Sequence, residues 1–245
     1  MARSLENYAM PVVQPVPVVS EADCLQAFRN VRQRQAKLAP AKLVALHDRL
    51  LGPKGIFVLL GRELEQLGRQ APLLEDVTAL DSIERRTLAE RAVVCALAYH
   101  NRRTATLNPY REASRERLCW MVYDKHAPFA LVERYVALLA LHQRDGVFFA
   151  RLIETTRGCV ERRILFSGLL EHHDALLPVE RSVYPADYRA AQQRHLDHEE
   201  SIYGPLDLDQ PIWKLLETLG SKKLLRRVAA QLARRQALLQ TATDR

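Results

Sequence analysis

The stretch Phe129-Ala-Leu-Val-Glu-Arg-Tyr-Val-Ala-Leu-Leu-Ala-Leu-His142 decides the fold. Apolar side chains fill almost every position, and its two formal charges, Glu133 and Arg134, stand together near its start. A surface helix shows an apolar stripe, whereas a helix apolar nearly all round is covered on most sides. A bilayer span needs about 20 apolar residues, so this shorter run predicts a central helix in a protein core, not a membrane helix.

Helix signals extend outward from it in both directions. Upstream, Ala127-Pro128 leads into the central helix, and Ser114 is placed to cap a helix over Arg115–Tyr123. Thr104–Tyr110 contains Asn108-Pro109 and reads as a loop, with a candidate break between subdomains near 104–113. Asp81-Ser82 starts a helix to about Tyr99 whose Ile83, Leu88, Ala92, Val93 and Leu97 are expected to face inward. Ile56-Phe-Val-Leu-Leu60 has the composition of a buried strand, but continuation through Leu64 and Leu67 keeps helical spacing. Pro40 opens a helix that Gly52-Pro53 stops, and Ser20 with Asp23 marks the start of another running to about Leu38. Residues 10–18 alternate proline with valine, which predicts an extended arm.

Downstream, Asp145-Gly146 is expected to break the chain before Val147–Ile153 and Val160–Leu170, read as two helices or as one with a weak point at Gly158. Pro178 should end that region. Pro185 starts a helix to about Ser201, and Pro211 starts another over Ile212–Leu219 that Gly220 ends. No alternating apolar and polar run is long enough for a strand. The reading is all-α: a compact multi-helix domain around a buried central helix at about 129–142. It divides into a proline-rich arm (1–19), a globular body (20–220) and a basic C-terminal helix and tail (221–245).

A chain of 245 residues buries enough surface to fold without disulfides or a structural metal. Cys24, Cys95, Cys119 and Cys159 are far apart with no Cys-x-x-Cys pair, which fits a reducing cytoplasm. The first residues lack the basic-then-apolar pattern of a secretory signal, and no run of 18 apolar residues exists to engage a membrane. A cytoplasmic location is the expectation.

The net charge of +7 is concentrated at one end. Residues 221–245 hold seven basic side chains against the single acid Asp244, leaving 29 basic and 28 acidic side chains for the other 220 residues. At about 100° per residue, Leu224, Leu225, Val228, Leu232 and Leu239 share one arc. Lys222, Lys223, Arg226, Arg227 and Arg234 fall opposite, with Arg235 at the edge. An apolar arc must dock on something, which leaves the basic arc in water and available to phosphate. The preceding helix and Gly220-Ser221 give the outline of a helix-turn-helix, but the basic helix is too long and carries Arg226-Arg227 where it should pack.

Catalytic signatures are scarce. There is no Gly-x-Ser-x-Gly elbow, no phosphate-binding Gly-x-x-x-x-Gly-Lys-Ser/Thr loop and no dinucleotide fingerprint, so no cofactor is assigned. Gly158-Cys159-Val-Glu-Arg-Arg163 has neither the length nor the basic spacing of a cysteine phosphate loop, and Asp124-Lys125-His126 reads as a plain loop. One polar cluster has ligand chemistry. His195, His198 and Glu199 share a helix face at i, i+3 and i+4, and Glu171, His172, His173 or Asp174 could complete a zinc or iron site. The spacing matches neither His-Glu-x-x-His nor the Glu-x-x-His pairs of di-iron bundles, so a solvated polar face is the preferred reading. Trp120 and Tyr123 are expected in the core. Trp213, if exposed, would mark a partner contact, because tryptophan is enriched at interface hot spots.

These features lead to a regulatory or adaptor protein that binds a protein partner, with nucleic-acid contact through Lys222, Lys223, Arg226, Arg227 and Arg234. The alternative is a metal-dependent helical enzyme using His195, His198 and Glu199.

Overall fold

The computed structural model describes residues 20–80, 82–101, 106–156 and 161–243, and among them every regular element is helical. The proline-rich arm at 10–18 and Cys159 lie outside the described residues. The helices are α1 (Glu21–Ala36), α2 (Pro40–Leu51), α3 (Ile56–Leu67), the single turn α4 (Glu75–Thr78), α5 (Ile83–Asn101) and α6 (Arg115–Tyr123). They continue with α7 (Leu131–Glu154), α8 (Arg162–Ala175), the short α9 (Pro178–Arg181), α10 (Tyr188–Tyr203), α11 (Ile212–Thr218) and α12 (Ser221–Thr243).

Local chemistry explains the starts. The Ser20 hydroxyl oxygen accepts from the Asp23 N–H at 3.1 Å, and that of Ser114 accepts from the Arg117 N–H at 3.3 Å. Each satisfies one of the donors a helix leaves open in its first turn. Pro40 stands at the first position of α2, where its missing N–H costs nothing. Pro178 departs from expectation: it opens α9 instead of ending the region, for the same reason.

The central helix is present and longer than predicted. It begins at Leu131 after the cap residue Ala130, and it passes through Asp145-Gly146 without a break to Glu154. At 1.5 Å per residue it is roughly 36 Å long. Glycine costs a helix about 1 kcal/mol relative to alanine, which alone does not stop one when both flanks are held. Here both are. Val136, Ala137 and Leu141 lie in a larger hydrophobic cluster built from α1–α7 and α9, whereas Leu152 lies in a second cluster with Ile164, Leu216, Leu224 and Val228. Tertiary burial on either side of Gly146 outweighs the local penalty.

The two charges of the apolar stretch are its connectors. Glu133 is fully buried. Its carboxylate accepts from the Ala130 N–H at 2.9 Å, reaching back over the first turn of α7 as in a capping box. It also accepts from Tyr110 OH at 2.7 Å and from the Arg85 guanidinium at 2.6 Å. Burial pushes the Tyr110 hydroxyl well above its ordinary range, and the Glu133 charge adds to it, so the phenol stays a donor. Arg134 turns the other way and donates to the carbonyls of Met121 and Val122 at 3.0 and 2.8 Å, closing the C-terminal turn of α6.

Between the two clusters lies a second ionic group. The Arg115 guanidinium of α6 donates to Asp145 of α7 at 2.8 Å and to Glu180 of α9 at 2.7 Å. Burial alone would raise the Asp145 carboxyl, but Arg115 and His172 outweigh it and hold the group below the usual aspartate range. Glu180 goes the other way: burial pushes it up despite Arg115. Cys119 lies 3.8 Å from Glu180, and burial pushes its thiol far above the ordinary value, which leaves it protonated and inert.

The expected inward face of α5 holds except at its first residue. Ala92 and Val93 are buried, but Ile83 is 76% exposed, because among the described residues no neighbour covers the first turn. Leu139 is only half-buried, unlike Val136, and faces a cleft described below. Trp120 and Tyr123 are core residues as expected, and the Trp120 ring meets Phe129 edge-on at 5.1 Å. No described helix is long and apolar enough to cross a membrane.

Three outcomes test this account. Gly146→Ala, with open space around the new methyl group, should raise stability by about 1 kcal/mol in urea unfolding. Glu133→Ala should lower it by roughly 3–5 kcal/mol, since Arg85 and Tyr110 lose a buried acceptor. Because the folded Asp145 value lies below the unfolded 3.8, its contribution is complete above that pH and fades as pH falls through the folded value. The stability gap between wild type and Asp145→Asn should therefore be full near about pH 6 and shrink below about pH 4.

Candidate functional site

The chain turns from α11 into α12 through Gly220, whose φ of +73° is left-handed and suits glycine. The Ser221 hydroxyl at the start of α12 lies 2.8 Å from the Arg151 carbonyl and 2.9 Å from the Glu154 carboxylate, which ties the new helix to the end of α7. Leu224 and Val228 then enter the second cluster, and Leu225 and Leu232 are half-buried. Leu239 lies where side chains are not described. The predicted apolar arc is thus docked on the body over its first turns.

That docking decides where the cations go. Lys222, Lys223, Arg226 and Arg234 are exposed, and the edge residue Arg235 is exposed as well. Arg227 is placed differently: its guanidinium donates to Asp209 at 2.8 Å and is partly covered. One turn further, the Gln231 amide donates to the Asp207 carbonyl at 2.6 Å. These two contacts strap the 204–211 connection along α12. Arg235 lies against Gly204, where any side chain would collide with its guanidinium. The five predicted basic residues therefore divide into four that face water and one engaged by an acid of the body.

The His195 face has a different outcome. His195 and His198 are exposed, and the His195 ring stacks on Phe166 at 5.1 Å. Glu199 is buried, with Arg162 at 3.4 Å from its carboxylate. The four candidate co-ligands each have their own employment. Glu171 accepts from the Ile212 and Trp213 N–H groups at 2.9 and 3.3 Å, and burial raises its carboxyl. His172 stacks on Phe148 and faces Asp145, His173 packs against Tyr184 and Tyr188, and Asp174 takes Arg189 through two bonds of 2.9 Å. Among the described residues, no group of three or more His, Cys, Asp or Glu side chains is placed to hold a metal ion.

Other sequence candidates resolve into structure. Arg163 is buried and donates to Glu161 and to the Gly204 carbonyl at 2.6 Å, so it serves the C-terminal end of α10 rather than a phosphate. Asp124 pairs with Arg34 at 2.7 Å. Trp213, by contrast, is 47% exposed.

Sequence reasoning passed over one constellation entirely. His47, His100, His142 and Tyr135, from α2, α5 and α7, line a common cleft. Tyr135 and His142 are two turns apart on α7, but His47 and His100 are dozens of residues away with no shared motif, so only the meeting of those helices brings the four together. No protein-family model, curated protein or solved structure matches the chain.

Proposed function

We propose that this protein is a cytoplasmic regulatory or adaptor protein that works by binding, with the outward face of α12 contacting the phosphates of a nucleic acid. The observation that carries the reading is the division of α12. Its apolar edge is spent on the second cluster, leaving Lys222, Lys223, Arg226 and Arg234 directed to water. Solvated cations along one helix supply the sequence-independent part of nucleic-acid affinity through counterion release. The buried thiols of Cys95 and Cys119 suit a reducing compartment. A protein partner is the second contact, favoured by exposed Trp213 in the helix before α12, since a half-exposed indole on a folded body is a ready hot spot.

The test is fluorescence anisotropy with labelled duplex DNA and single-stranded RNA over a salt series. With four phosphate contacts, raising salt from about 50 to about 200 mM should weaken duplex binding roughly a hundredfold. Changing Lys222, Lys223, Arg226 and Arg234 together to Gln should reduce affinity and flatten the salt slope without shifting the melting temperature, because Leu224 and Val228 are untouched. Arg227→Gln alone should have the smallest effect of any single change, since Asp209 already engages that charge. No binding by the wild type at about 50 mM salt, or undiminished binding by the fourfold variant, would remove nucleic acid from the reading.

A further inference from the structure

The helices α8 and α10 pack antiparallel. Near the start of α8, Arg163 reaches the Gly204 carbonyl just past α10, and near its end Asp174 meets Arg189 at the start of α10. The Gly204 end also holds Arg235 of α12. The Asp174 end gathers three arginines from three other helices. Arg32 of α1 and Arg181 of α9 both donate to the Asp174 carbonyl, at 3.4 and 2.5 Å. Arg189 of α10 donates to the two oxygens of the Asp174 carboxylate through Nε and Nη2, each at 2.9 Å.

A helix C-terminus attracts positive charge through its open carbonyls and the negative end of its dipole, and one cation meets that need. Here two guanidiniums share a single carbonyl oxygen, with a third beside them. Among the described residues neither Arg32 nor Arg181 forms an ion pair, and Arg189 already engages both oxygens of Asp174. Glu180, adjacent to Arg181 in the chain, is committed to Arg115. Burial pushes His173 below the ordinary imidazole value, so it adds no charge at pH 7. Three positive charges therefore meet one negative charge, and like charges held this close repel. Burial and then the neighbouring Arg32 charge push the Arg181 guanidinium below its ordinary value, with Asp174 and Glu180 opposing only in part. Arg32 and Arg189 are exposed, so a solute can reach this excess of charge.

We infer that this corner of α1, α9 and α10 binds the dianionic phosphate of a small phosphorylated molecule, held by the exposed Arg32 guanidinium in the field of Arg181 and Arg189. A guanidinium fork matches two phosphate oxygens at once. Charges converging on one residue suit a single doubly charged group, whereas cations spaced along a helix, as on α12, suit a backbone of singly charged phosphates. The corner lies at the far end of α8 from the Gly204–Arg235 contact, so it does not rest on the nucleic-acid reading.

The probe is inorganic phosphate at about pH 8, where it is mainly a dianion, titrated into the full chain in a constant excess of sodium chloride. Arginine Cζ resonances are observed by NMR. The expected result is a saturable shift of Arg32, with smaller shifts of Arg181 and Arg189, at a Kd on the order of 1 mM, while Arg226 and Arg234 stay in place. Arg32→Gln, at an exposed position, should keep the melting temperature and weaken binding roughly tenfold. Asp174→Asn removes the one negative charge among the three arginines and should tighten binding severalfold, an effect that arginines serving only to cap α8 would not produce. Acetate, planar and singly charged, should bind roughly tenfold more weakly than phosphate. The inference is overturned by absence of a saturable Arg32 shift at several times the expected Kd, or by equal shifts along α12. Undiminished affinity in Arg32→Gln, no gain in Asp174→Asn, or acetate binding as tightly as phosphate would overturn it too. If duplex DNA moves the same three resonances in the chain whose four α12 cations are changed to Gln, the corner belongs to a nucleic acid and the small-molecule assignment falls.

Discussion

The middle of α7 is held by one charge, the Arg115 guanidinium, gripped by Asp145 on one side and Glu180 on the other. Everything around it depends on that grip. Asp145 sits beside the glycine where the helix is weakest, and Glu180 belongs to a one-turn helix whose Val179 joins the first cluster. Glu180 also accepts from the Leu177 N–H at 2.7 Å, so its carboxylate caps α9 while pairing with Arg115. Desolvating three charges is expensive, and a buried group like this is weak evidence for stability. Its consequence is geometric. The ions fix where α6, α7 and α9 meet, in a place where hydrocarbon contacts alone would let helices slide.

A long helix shared by two clusters sets the rest of the molecule. The first half of α7 collects α1, α2, α3, α5 and α6, and its last turns collect α8, α11 and α12. The basic face of α12 and the cleft between α2, α3, α5 and α7 fall on either side of the Arg115 group. Toward the first cluster, closely approaching helices leave a cleft lined by side chains of α2, α3, α5 and α7. Toward the second, α12 lies on the surface with only part of its circumference used. Burial takes up Leu224 and Val228 of α12, and among the described residues its exposed cations pair with an acid only at Arg227.

Buried polar groups in this chain do two kinds of work. Glu133, Arg134, Arg163 and Glu171 each satisfy the open end of a helix, their own or a neighbour's. Their charge is a structural tool, and the helix ends they serve would otherwise be buried without partners. His47 and the His100–Tyr135 pair serve no helix end. They sit where α2, α5 and α7 meet, as the Arg115–Asp145 pair sits where α6 meets α7.

The sequence by itself determined the helical class, the caps at Ser20 and Ser114, the central apolar run and the division of α12, because each depends on residues within a few turns of one another. Helix period, capping hydroxyls and an uneven charge distribution are local properties, legible without knowing what lies across the core. Tertiary structure alone decided that α7 runs through Gly146, since the penalty there is local but the burial that outweighs it comes from two distant clusters. It decided that Ile83 is uncovered, that Glu199 turns inward while His195 and His198 do not, and that Arg227 meets Asp209. It also brought His47 and His100 to the face of α7 that carries Tyr135 and His142, across separations in sequence that carry no period. The physical reason is the same in each case: which side chain neighbours which depends on how helices cross, and crossing is set by total burial rather than by any short run of residues.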